Sequence, residues 1–110
     1  MATAYKVLGQ VAPGATTDTT LYTAPAGKQA VISTLIVANR GAASTSFRIA
    51  IRPGGAALAN QHYVAFDVTV MNADATTLTL GITLSPTDVI TVRGGSADLT
   101  FSAFGSEIDL

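Results

Sequence analysis

The sequence predicts an all-β chain folded as one antiparallel β-sandwich of jelly-roll type, with about eight strands in 110 residues. Three observations carry that prediction. Turn-forming clusters recur at short intervals: Pro13-Gly14, Pro25-Ala26-Gly27, Asn39-Arg40-Gly41, Pro53-Gly54-Gly55, Asn72-Ala73-Asp74, Ser85-Pro86-Thr87-Asp88 and Gly94-Gly95-Ser96. Gly and Asn supply positive φ and Pro fixes φ, which is what reversing a chain requires. The segments between them are rich in Val, Ile, Leu, Thr and aromatic residues, which fit a pleated, half-buried surface. No stretch sustains the i, i+3, i+4 apolar spacing of a helix, and Gly55–Gln61 is short enough to be one helical turn or a loop.

Strands are expected at Tyr5–Gln10, Thr20–Thr23, Gln29–Asn39, Ser46–Arg52, His62–Val70, Thr76–Leu84, Val89–Arg93 and Leu99–Ile108, all within a single domain over residues 1–110. The third strand is apolar on both faces through Ala30–Ala38, the pattern of a strand covered on both sides. In Phe47–Arg52 the odd positions point to the core, leaving Arg48 and Arg52 outside. His62–Val70 is read with Val64, Phe66, Val68 and Val70 inward and Asp67 outward, paired across strands with Arg48 or Arg52. Thr76–Leu84 alternates most clearly, with Leu78, Leu80, Ile82 and Leu84 on one face and threonines on the other. In the last strand Leu99 and Phe101 share one face while Phe104 and Ile108 lie on the other, which a bulge near Gly105 or a second buried face would explain.

Composition narrows the function. Ala (19), Thr (16), Gly (10) and Ser (7) account for 52 residues, and only 12% are charged, against roughly 25% in an ordinary soluble domain. Few charges repel an approaching copy, so such a surface suits a protein that works packed in an assembly. A net charge of −1 provides no broad positive field for nucleic acid or an anionic membrane. The absence of Cys removes disulfides, thiolate metal sites and cysteine nucleophiles. The segment MATAYKVLGQ lacks the basic-then-apolar layout of a signal peptide, and no apolar run approaches the ~18 residues of a membrane span, so neither export by that route nor a spanning helix is expected.

Catalytic chemistry finds little footing. His62 is the single histidine, and a general base needs a carboxylate or nucleophile within hydrogen-bond reach, whereas Asp67 falls on the opposite face of its strand. Asp18, Asp74, Asp88 and Asp98 stand in turns, where Asp caps its own backbone. No D-x-D-x-D spacing suggests calcium. Arg52-Pro53-Gly54-Gly55 and Arg93-Gly94-Gly95 lack the Gly-Lys-Ser/Thr and the following helix of a phosphate loop, and no Gly-x-Ser-x-Gly elbow occurs. The reading is therefore a non-enzymatic protein with no catalytic, cofactor or metal residues.

The run Leu21-Tyr22-Thr23-Ala24-Pro25-Ala26-Gly27-Lys28-Gln29-Ala30-Val31-Ile32-Ser33, with Ile36-Val37-Ala38-Asn39-Arg40-Gly41 and Phe47-Arg48-Ile49-Ala50-Ile51-Arg52-Pro53, resembles a family of small virion structural proteins of tailed bacteriophages, including phages of cyanobacteria. Asn60–Asp67 and Leu99–Ile108 continue the likeness, which spans nearly the whole chain. The resemblance implies a virion component with no catalytic residues. It is expected to be a capsid decoration (cement) protein, homo-oligomeric with a trimer favoured, bound to the major capsid protein. A tail, baseplate or fibre component is the alternative, and a carbohydrate-binding or host-adhesion module the third. The residues expected at the interface are Phe104 and Ile108, from their face of the last strand, and Tyr22 and Tyr63, whose rings have a polar tip.

Overall fold

A computed structural model of the chain describes residues 3–79 and 81–110. Its strands are β1 (Thr3–Val11), β2 (Thr19–Thr23), β3 (Lys28–Asn39), β4 (Thr45–Arg52), β5 (Tyr63–Val70), β6 (Ala75–Leu78), β7 (Ile82–Leu84), β8 (Val89–Gly94) and β9 (Leu99–Asp109). The segment between β4 and β5 holds two short 3₁₀ turns, Pro53–Gly55 and Asn60–His62, so His62 precedes β5 rather than starting it.

The strands form two antiparallel sheets. One is ordered β1-β9-β3-β6, with β7 also pairing β3; the other is ordered β2-β8-β4-β5. Strands β6 and β7 pair with successive parts of β3, Leu78 opposite Leu35 and Ile82 opposite Ile32. They are two pieces of one interrupted strand, which corrects the continuous Thr76–Leu84 expected from alternation. The interruption lies across from the place where β3 carries an extra residue, Ser33, against β9. Leu78, Ile82 and Leu84 face the core as expected; Leu80 lies outside the described residues. With β6 and β7 counted as one, every connection except the β4–β5 hairpin passes from one sheet to the other, which is jelly-roll topology.

The core lies between the sheets. Ile32, Leu35, Val37, Leu84, Leu99, Phe101 and Ala103 come from one side and Phe47, Ile49, Val70, Ile90 and Val92 from the other, all with essentially no exposure. Phe47 and Phe101 meet edge to face across the two sheets, ring centres 6.2 Å apart.

Two further expectations are overturned. Val64 and Phe66 point out to solvent and Val68 is partly exposed, while Ala65 and Val70 point in. The cause is a pair of bulges: β5 runs from Val68, opposite Phe47, to Ala65, opposite Ile49, with one residue more than β4, and on to Tyr63, opposite Ala50, with a second. Asp67, at φ 54°, takes up the left-handed turn that the first requires. Nor is β3 equally buried on both faces: Ala30, Ile32, Leu35 and Val37 are buried, whereas Val31, Ile36 and Ala38, on the other face, are only partly so. In β9 the strand itself alternates without a break, and the irregularities near Gly105 belong to its neighbours, at Leu8 of β1 and Ser33 of β3.

Candidate functional site

One feature that departs from an ordinary soluble domain is the outer face of the five-stranded sheet. Residues opposite one another in register share a face. Val7, Phe104 and Thr34 therefore form one row across β1, β9 and β3. The next rows are Tyr5, Ser106, Val31 and Thr83, then Thr3, Ile108 and Gln29; beyond the bulges comes Gln10, Ser102, Ile36 and Thr77. Among the described residues this face carries no Asp, Glu, Lys or Arg. It consists of apolar side chains, hydroxyls and two glutamines, with Tyr5 86% exposed at its edge. Eleven residues of rise along β9 and four strands of spacing give a footprint of roughly 700 Å², close to one partner's share of a standard protein interface.

Phe104 and Ile108 sit together on this face, each half-buried by its cross-strand neighbours. Tyr63 does not join them. It belongs to β5 of the four-stranded sheet, its ring edge-on to that of Phe66 at 4.9 Å. Tyr22 is not an outward-facing ring at all: it is buried, 8% exposed, and its hydroxyl donates to Glu107 Oε2 at 2.6 Å. A shift in the β2–β8 register between Thr20 and Tyr22 accompanies this inward placement. Val7 and Val31 were missed as members of the apolar face, although the alternation of Thr3–Val7 against Ala4 and Lys6 carries the first of them.

Charge is kept to the other side of the same strands. Glu107, 5% exposed, receives the Lys6 ammonium at 2.6 Å as well as the Tyr22 hydroxyl. Those two donors hold its carboxyl below the usual carboxylate range. Burial, with the Glu107 hydrogen bond adding to it, pushes the Tyr22 phenol well above its ordinary value. On the second sheet Arg48 Nε and Nη2 grip the Asp67 carboxylate at 2.7 and 3.2 Å, with the guanidinium 4.0 Å above the Phe66 ring. This is the cross-strand pair expected from sequence, and it lowers the Asp67 pKa.

The candidate catalytic residues are engaged elsewhere. His62 Nδ1 accepts the Ala59 N–H at 3.1 Å, closing its own 3₁₀ turn. Asp88 accepts the Gly54 and Ser85 N–H groups, and Asp74 accepts that of Ala75. Among the described residues no three His, Cys, Asp or Glu side chains converge on a point that could hold a metal ion. Compared with models of known protein families and with curated proteins, the chain matches none.

Proposed function

We propose that this chain is a non-enzymatic structural protein of a bacteriophage particle. In this reading it is a capsid decoration protein that associates with itself and binds across major capsid subunits. The observation that carries the reading is the uncharged outer face of the five-stranded sheet. Packing that face against a partner desolvates no ionised group and brings no like charges together, while Phe104, Ile108, Val31, Val7 and Tyr5 provide apolar area to bury. The jelly-roll topology is one that viral capsid domains use, which adds support by analogy of fold only. The mechanism is linkage: a protein that binds only the assembled shell stabilises it by mass action.

A tail or baseplate role uses the same face, and copy number separates the two. Densitometry of purified virions is expected to show hundreds of copies per particle; six to a few dozen would transfer the protein to the tail. Absence from the particle would overturn both readings.

A further inference from the structure

The outer face of the four-stranded sheet presents a second feature, unrelated to the apolar face. Arg48 on β4 and Arg93 on β8 stand directly opposite each other, and like charges facing across neighbouring strands destabilise a sheet. Asp67 partners Arg48 and also lies within the field of Arg93. Arg48 uses Nε and Nη2 on Asp67, with Tyr63 as a further side-chain partner. The Arg93 guanidinium approaches Asp18 only to 3.9 Å, beyond hydrogen-bond reach.

Both arginines line one half-open cleft of about 210 Å³, together with the Asp67 carboxylate, Thr16, Ser46, Phe47, Gly94 and Gly95. At ~30 Å³ per water that is room for several water molecules, or for one compact ion. Thr16 (φ 51°) and Asp67 (φ 54°), which border the cleft, are both left-handed non-glycine residues. Such backbone costs on the order of 1–3 kcal/mol per residue, and at Asp67 a bulge in β5 accounts for it. The Asp67 carboxylate and the Phe66 ring hold Arg48 in place before any ligand arrives.

We propose that this cleft binds one small oxyanion of sulfate or phosphate type, shared by the Arg48 and Arg93 guanidinium groups with the Ser46 hydroxyl as a further donor. Two guanidinium forks offer several N–H donors to a multi-oxygen anion, and the anion removes the repulsion between the arginines.

The test is an amide NMR titration of the intact protein with sodium sulfate, set against sodium chloride at matched ionic strength. Saturable shifts at Thr16, Gly94 and Gly95 are expected in sulfate only. Arg93→Gln should weaken binding at least tenfold with circular dichroism unchanged. Asp18→Asn removes the acid that competes for Arg93 and should tighten binding several-fold, an arm that holds even if Arg93→Gln disturbs the fold. Shifts that fail to saturate, that appear equally in chloride, or that leave Asp18→Asn no tighter than the parent would overturn the proposal. Galactose 6-sulfate in place of the inorganic ion distinguishes the source: equal affinity assigns the site to the ion itself, and tighter binding assigns it to a sulfate ester.

Discussion

At the scale of single residues, the buried carboxylate of Glu107 is the most consequential group in the chain. An ionised carboxylate at 5% exposure is tolerable only because the Lys6 ammonium and the Tyr22 hydroxyl both donate to it. Its pKa in the folded protein lies below the unfolded value, so its stabilising contribution is complete above about pH 4.3 and drains as the pH falls through the folded value. The Tyr22 phenol runs the other way. Its raised pKa makes its contribution complete below about pH 10, and that contribution is lost as the pH rises through the folded value. Thermal unfolding followed against pH should therefore show Tm dropping at both ends, and Glu107→Gln should flatten the acid limb. An acid limb unchanged in that variant would show that other carboxylates govern it. Tyr22→Phe removes one of two donors from a buried acceptor and should cost about 1–3 kcal/mol in chemical denaturation.

At the scale of elements, the sheets are built as much by their irregularities as by their ladders. β1 and β3 each carry one extra residue on either side of β9, next to Phe104 and Gly105. The local distortion brings the Val31 carbonyl oxygen so close to Gly105 that a Cβ there would overlap it. Gly105→Ala should accordingly cost about 3 kcal/mol or more, whereas Gly14→Ala, whose Cβ would meet only Thr17 Oγ1 at an ordinary 3.7 Å, should stay within about 0.5 kcal/mol. Equal urea midpoints for the two variants would refute the close approach. The faces of β7 are tested in the same way. Leu84→Asp buries an unpaired charge among core side chains and should prevent folding, while Thr83→Asp, exposed opposite Val31, should leave the circular dichroism intact.

At the scale of the whole molecule, the distribution of charge matters more than its sum. Lys6, Glu107, Lys28 and Asp109 lie on the core side or at the end of their strands and pair with one another, leaving the outer face of that sheet neutral. The isolated protein is expected to self-associate through this face. Val31→Lys, a charge placed near its centre, should shift light-scattering mass toward the 11.2 kDa monomer. Phe104→Ser should weaken association or particle binding more than tenfold with the domain still folded. If the parent protein is already monomeric at micromolar concentration, the face does not serve self-association. If Phe104→Ser unfolds, the residue belongs to the core rather than to the surface.

Much of this was legible in the sequence because it depends on local chemistry. Turn residues located the chain reversals, period-two alternation placed Leu78, Ile82, Leu84, Leu99 and Phe101 inward, and the same alternation put Phe104 and Ile108 on the opposite face. The composition announced a surface poor in charge. What depended on register between distant strands was not legible. The extra residues in β5 reverse the expected facing of Val64 and Phe66, and a one-residue slip is invisible to a pattern of period two. Tyr22 became a buried donor because Glu107, 85 positions along the chain, is brought beside it. The facing pair Arg48 and Arg93 likewise exists only because β4 and β8 are neighbours in the sheet. The sequence by itself determined which residues alternate and where the chain turns, since both follow from covalent geometry and side-chain type. Only the tertiary structure decided which surfaces are left uncovered and which charges meet, because both are set by the pairing of strands far apart in the chain.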